Sequence, residues 1–521
     1  MYVNYRRLAT IFLIALIALS ICEGVIHQTS SVAASPINAT GAQNTWSRAP
    51  TNPAFAQYLN NQGAGNVTTT TSQQGLGLIP STVNFSTLTG QSVRAAVPLV
   101  GYPSSYDLRS LGKVSPVENQ NPSGSCWAFA AYGSLESYLL PAQWSFSENN
   151  MKNLNGFSVP PPLYCQGDNC KCEGGGNQQM ATAYLARWGG TMQSGPVTSA
   201  CDPFNPSSCT DTSSCTVPQK HVQNVLFLPY RTSSTDNNNI KWALQNYGGV
   251  YATIYISSSS SYNSNTAAYY YSGSQAPDHA VTIVGWDDAY RASNFAHAPP
   301  GPGAFIVKNS WGTGWGQQGY FYVSYYDTQV ATSQPPTVFT AEPTTNYDIN
   351  YQYDPLGWVS SYGSGGSTAW GANVFSATSN QQLSAVSFYA GSVNTQYEIY
   401  VYTDPTSGPI GGTAYTGPAG TIDMPGYHTI PLTTPVPLTA GHKFSVVIKI
   451  TTPGNNQPIA VESAMPGYSS ATAEPGQSYL SATGTSWIDA TQVDSTMNVC
   501  IKAFTTATEF VGGPVASAPA V

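Results

Sequence analysis

Two rhythms of apolar and polar positions run along the 521-residue chain, and the change from one to the other divides it. Past residue 100 the apolar positions first recur at helical spacing. Phe129, Tyr132, Leu135 and Leu139 share one face of a helix that Ser125 opens as N-cap and Pro141 stops. Gly176 to Trp188 predicts a second helix closed by Gly189 and Gly190, and Asp236 to Tyr247 a third closed by Gly248 and Gly249. The pattern then turns to β-branched and aromatic runs bounded by Gly, Pro and Asp: Val250–Ile256, His279–Trp286, Ala304–Lys308 and Tyr320–Tyr325. Helices followed by strands predict an α+β unit, a helical subdomain plus a β-rich one, over residues 99–335.

Helical periodicity is nearly absent from 341 to 506. Val386–Phe388, Glu398–Tyr402 and Phe444–Ile450 read as strands separated by turn clusters such as Thr403–Pro409, which predicts an all-β sandwich of jelly-roll-like topology. Residues 507–521 are small and Pro-rich and read as a disordered tail. Residues 35–98 are rich in Thr, Asn, Gln, Ser and Gly and too polar to fold alone. They read equally as a propeptide or a surface linker, with apolar patches at Phe55–Leu59 and Leu78–Pro80 able to dock on the rest. Residues 1–34 hold Arg6 and Arg7 before the apolar run Leu8–Cys22, the layout of a signal peptide or, if retained, a signal anchor.

Composition adds the setting. Only 8% of residues are charged, so neutral polar groups must wet the surface, which suits a secreted or cell-surface protein. The net charge of −8 with no basic run leaves nucleic acid without an electrostatic footprint, and a membrane is a partner only if the signal is retained. Six of the nine cysteines (Cys165, Cys170, Cys172, Cys201, Cys209 and Cys215) crowd into one stretch and read as up to three disulfides rather than a metal site. No metal and no cofactor is expected.

One cysteine stands apart in a different context. Cys126 begins the first predicted helix, where the positive end of the helix dipole favours a thiolate. His279 can take its proton and later deliver it to a leaving amine. Asn309 can accept the other ring N–H and fix the imidazole, with Trp311 shielding that bond. Gln120 can point its amide at an oxyanion beside the Cys126 N–H.

Residues 102–327 resemble the papain-like cysteine peptidases. The likeness rests on Gln120–Trp127 (QNPSGSCW), Asp278-His279-Ala280, Asn309–Tyr320 (NSWGTGWGQQGY), Tyr102–Arg109, Phe146-Ser147-Glu148 and Cys172–Gly175. The resemblance implies hydrolysis of peptide bonds through an acyl-enzyme, with Cys126 as nucleophile, His279 as acid/base, Asn309 as orienter and Gln120 in the oxyanion hole. It also implies that the Gly174 and Gly175 backbone holds an extended peptide or protein substrate and that Asn177 helps line a specificity pocket. Two features depart from the family: Ser123 replaces the cysteine that would pair with Cys172, and the usual long helical propeptide is missing. The C-terminal unit resembles the lectin-like sandwiches appended to some bacterial and archaeal papain-like peptidases. That implies a glycan partner, for which Trp358, Trp370 and Trp487 are candidates, although the same aromatics could fill a core. A surface adhesin on a papain-like scaffold and a transpeptidase with the same acyl-enzyme are the alternative functions.

Overall fold

The computed structural model describes residues 46–63, 76–93, 101–159, 175–190, 204–205 and 217–507. The α+β unit followed by an all-β sandwich is the architecture found. The helix Cys126–Leu139 lies at the centre of the first unit, and twelve of its fourteen residues are buried. It packs on the strands Val250–Ile254, His279–Asp287 and Thr337–Pro343. Close approach depends on Gly133, where a Cβ would lie 2.5 Å from the Thr282 hydroxyl. Shorter helices at Glu148–Leu154 and Gln178–Ala186 pack against it and complete the helical side. The second and third helices predicted from the sequence are shorter than expected, Gln178–Ala186 and Asn238–Asn246, with Asn177 and Asn237 at the N-cap positions and Arg187 and Tyr247 at the C-caps.

The sequence changes character near residue 341, but the hydrogen bonding does not stop there. One thirteen-stranded sheet runs through both units. On the first side, Val250–Ile254, His279–Asp287, Ala304–Lys308 and Tyr320–Ser324 are antiparallel neighbours. Thr337–Pro343 joins Val250–Ile254 to Lys220–Phe227, and Lys220–Phe227 then pairs with Gly426–Leu438 through Leu226 with Gly426, Val225 with Tyr427 and Asn224 with His428. Gln381–Ala390, Lys502–Ala507 and Ile349–Tyr351 continue the sheet. A six-stranded sheet that includes Thr368–Ser376, Thr395–Thr403 and Lys443–Thr451 covers this half. Between them lies a core of Leu383, Val386, Phe388, Ile399, Val401, Val446 and Ile448.

The polar N-terminal segment is docked on both units. Ser47–Arg48 adds an edge to Ser360–Gly363 in a four-stranded sheet of the C-terminal unit. The helix Pro53–Gly63 opens with Pro at its first position and the Asn52 side chain on the Ala54 N–H. Phe55 meets the edge of Tyr468, and Phe85 meets those of Phe227 and Trp358. Phe55, Ile79, Phe85 and Leu88 are all buried, and each is worth about 1.5–3 kcal/mol relative to exposure. A segment too polar to form a core of its own is thus ordered on a core made by the rest.

The joint between the units has a specific backbone requirement. Gly426 has φ of 139°, and a Cβ there would lie 2.0 Å from the Val225 carbonyl oxygen. Gly426→Ala is therefore expected to lower unfolding stability by about 1–3 kcal/mol or more in denaturant titrations. A stability equal to wild type would show that the cross-unit pairing contributes nothing.

Candidate active site

Cys126 is the first residue of its helix. Ser125 occupies the cap position, yet its hydroxyl makes no hydrogen bond, so no side chain competes with the thiol for the positive end of the helix. The peptide N–H of Ala280, the residue that follows His279 in the chain, reaches the Cys126 sulfur. His279 and Asn309 come together through strand register: Thr282 pairs with Lys308 on neighbouring antiparallel strands, His279 opens the first of these and Asn309 follows the end of the second.

Hydrogen bonding identifies the imidazole tautomer. His279 Nε2 lies 2.8 Å from Asn309 Oδ1, and the Ser310 N–H donates to the same oxygen at 2.9 Å. An atom that accepts from a peptide N–H is the amide oxygen, so Nε2 carries the proton and donates it. The other nitrogen, Nδ1, keeps its lone pair and is buried with no hydrogen-bond partner. Trp311 lies over the imidazole with ring centres 4.9 Å apart and is braced edge-on by Trp315.

Gln120 is locked to the same loop. Its backbone N–H donates to the Ser310 carbonyl at 2.8 Å, its Oε1 accepts from the Ser310 hydroxyl, and its Nε2 donates to the Ser123 carbonyl at 2.8 Å. Ser310, which the sequence reading passed over, therefore ties Gln120 to the residue that orients His279. Behind them half-buried Lys308 faces the buried Glu136 and Glu148, and burial raises both carboxyls. In a chain with so few charges these three could have been singled out, but only the fold brings them together.

A length of the chain's own backbone fills the cleft. The Gly176 N–H donates to the Gly77 carbonyl at 2.8 Å, and the Ile79 N–H donates to the Gly176 carbonyl at 2.9 Å, a parallel bridge centred on Leu78. Gly77 lies so close to Gly124 that a Cβ would come within 1.7 Å of its carbonyl oxygen. Gly176 in turn has no room for a side chain against the Trp127 indole. The described glycine whose backbone pairs with the Gly77–Ile79 segment is thus Gly176. Gly175 lies beside it, and Gly174 falls outside the described residues, as do Cys165, Cys170, Cys172, Cys201, Cys209 and Cys215. Asn177 is fully buried, and its oxygen caps the helix Gln178–Ala186 and accepts from the Tyr468 hydroxyl, so it faces no open pocket.

Covering the cleft has an electrostatic consequence. Cys126 is 0% exposed, and burial pushes its thiol up to about 12, with the peptide groups of Ala280, Gly77 and Trp127 opposing in smaller measure. Burial also pushes His279 down to about 4, against the Asn309 hydrogen bond. Both groups are therefore neutral at pH 7 in the covered state. A thiol, an imidazole with its lone pair free, an orienting amide and a peptide-filled cleft make up a site built for acyl transfer.

Comparison with known proteins agrees with this arrangement. A family model described as papain family cysteine protease matches residues 46–336, and one described as a lectin like domain matches 350–505. The chain belongs to the papain family of cysteine proteases and carries a lectin-like domain. It is 30% identical over 228 residues to a cysteine protease of Blomia tropicalis, a match covering 42% of this chain and 61% of that one. Against cysteine proteinase 15A of Pisum sativum it is 29% identical, with 44% and 59% covered. The chain thus spans about three fifths of the length of these curated relatives. The solved cysteine protease and lectin-like domains of Cwp84, a surface layer associated protein of Clostridium difficile, superpose with a TM-score of 0.71 at 24% identity, covering 90% of this chain and all of that one. A second solved structure, a clostridial Cwp84 variant after propeptide cleavage, gives 0.64 at 25% identity, covering 78% and 100%.

The neutral thiol and imidazole determine how the covered site responds to pH. Labelling of Cys126 in the intact chain by iodoacetamide is expected to rise about tenfold per pH unit from 5 to 9, following the thiolate fraction of a high-pKa thiol. A rate flat across that range would mean that an ion pair already exists. Gly77→Val, which cannot fit against Gly124, is expected to speed labelling at pH 7 by about tenfold, equivalent to ~1.4 kcal/mol of lost closure. An unchanged rate would show that the segment does not guard the thiol.

Proposed function

We propose that the protein is an exported cysteine peptidase, that Cys126 is its nucleophile, and that residues 46–93 are an inhibitory segment removed to start it. The observation that carries this reading is the backbone of Gly77–Ile79, held across Gly176 beside Cys126 as a peptide substrate would be. On release of the segment, water reaches the thiol and imidazole and their desolvation penalty falls. Proton transfer from Cys126 Sγ to His279 Nδ1 then produces a thiolate at the positive end of its helix. The thiolate attacks a peptide carbonyl, and the oxyanion is met by the Cys126 N–H and Gln120 Nε2. His279, held by Asn309, hands its proton to the leaving amine and then activates water against the thioester.

The lectin-like domain has two roles in this reading. It holds the inhibitory segment, through Ser360–Gly363, Trp358 and Tyr468, and it offers an outer face to a cell-surface glycan. Trp358 is buried against Phe85 and Tyr389 and serves the first role. Trp370 and Trp487 remain half-buried around Gly484, with the Lys449 ammonium over the Trp370 ring, and are the aromatic surface for stacking a sugar.

Reducing conditions and removal of the N-terminal segment should give cleavage of an unfolded protein and covalent capture of Cys126 by an epoxide thiol inhibitor. Cys126→Ala should lose both, and persistence of either would refute the assignment. Asn309→Ala should lower kcat by about a hundredfold, the effect of misplacing a reacting group, with little change in KM.

A further inference from the structure

Far from the cleft, three ionisable side chains are buried together in the lectin-like domain. Asp354 follows the strand Ile349–Tyr351, Glu462 ends the strand Ile459–Glu462, and Lys502 begins the strand Lys502–Ala507. Each is about 1% exposed. Lys502 Nζ lies 3.0 Å from Asp354 Oδ2, and the Lys502 ammonium and the Cys500 thiol are the side chains that face this carboxylate. The ammonium also donates to Gln352 Oε1 at 2.8 Å and to the Asp354 carbonyl at 3.1 Å. The Cys500 thiol is against Asp354, and the buried Tyr389 hydroxyl has no partner.

A buried ion pair kept for stability has its lone pairs satisfied, since stripping water from both charges is otherwise costly. Here two further acceptors hold the amine in contact with the carboxyl, and the carboxyl is left to the amine, the Cys500 thiol and its own peptide N–H. Glu462 accepts from the Leu356 N–H at 2.8 Å and from Asn498 at 3.3 Å, which fixes the third of these side chains. Burial, with Asp354 adding to it, pushes Glu462 up to about 8, so it holds its proton at neutral pH. Burial likewise raises Asp354, against the pull of Lys502.

We infer that Lys502 and Asp354 condense into an intramolecular amide, with Glu462 relaying the protons. One proton leaves the Lys502 ammonium through Glu462 for the Asp354 carboxylate, giving a neutral amine and a neutral acid. Nζ attacks Cγ, the bond from Cγ to one carboxyl oxygen breaks, and that oxygen departs as water with a second proton from nitrogen. The N–H that remains keeps Gln352 Oε1 as its acceptor. An ammonium and a carboxylate are consumed, an amide and one water are formed, and nothing is oxidised or reduced. The bond joins the first and last strands of the lectin-like domain and closes almost its whole length into one covalent loop.

Mass spectrometry of the full chain, purified, reduced and denatured, tests the proposal. The expected result is a mass one water below that of the sequence. Digestion with trypsin and a second protease should give a branched peptide joining Asp354 to Lys502, with no cleavage after Lys502. Glu462→Gln, which keeps the pair and removes the relay, should give a folded chain that retains the water and is cut after Lys502. A wild-type chain of full mass that yields a peptide ending in free Lys502 would overturn the bond. A Glu462→Gln chain linked as fully as wild type would overturn the relay.

Discussion

Backbone pairing of Lys220–Phe227 with Thr337–Pro343 on one side and Gly426–Leu438 on the other sets the relation of everything else. Through it the sheet that carries His279 and the sheet that begins the sandwich are one object. The N-terminal segment then rests on a fixed groove whose walls come from both units. Phe85 touches Phe227 of the first and Trp358 of the second, and the Thr82 hydroxyl donates to the Val359 carbonyl at 2.7 Å. The lectin-like domain is thus part of the surface that keeps the cleft filled.

Desolvation is the second consequence of that filling. The Cys126 helix supplies a positive end and His279 supplies a base, but neither forms an ion pair in a site closed to water, because burial penalises both charges at once. Geometry is kept ready while charge is withheld. The His279 ring is held by Asn309 and Trp311, and Asn309 is held by Ser310 and, through Ser310, by Gln120. Such an arrangement separates assembly of the site, which folding accomplishes, from its ionisation, which needs solvent.

The sequence was most legible where one segment decides its own structure. Phe129, Tyr132, Leu135 and Leu139 mark their helix, and Ala304–Lys308 matches its strand residue for residue. Glu148–Leu154 escaped notice because seven residues show barely two turns of periodicity. Lys220–Phe227 mixes Lys, His, Gln and Asn with its apolar residues, and its identity as a central strand comes from partners more than a hundred residues away. The same limit applied at the cleft. Gly174 and Gly175 carried the expectation of backbone pairing; Gly176 is the described glycine that bridges to the Gly77–Ile79 segment, and a Cβ at Gly175 would lie 2.5 Å from the Gly77 carbonyl oxygen. Asn177 looked like a pocket residue, and only the three-dimensional arrangement shows its amide spent on a helix cap and Tyr468. Asp354, Glu462 and Lys502 are ordinary letters until the sandwich closes around them.

Ultraviolet absorbance of the thiolate, taken as the difference between the wild-type chain and Cys126→Ala at pH 7, reports whether the formed site is uncharged. No thiolate signal from Cys126 is expected while the N-terminal segment is in place, and one thiolate per chain is expected after its removal. A thiolate in the intact chain, or none in the opened one, would contradict this expectation.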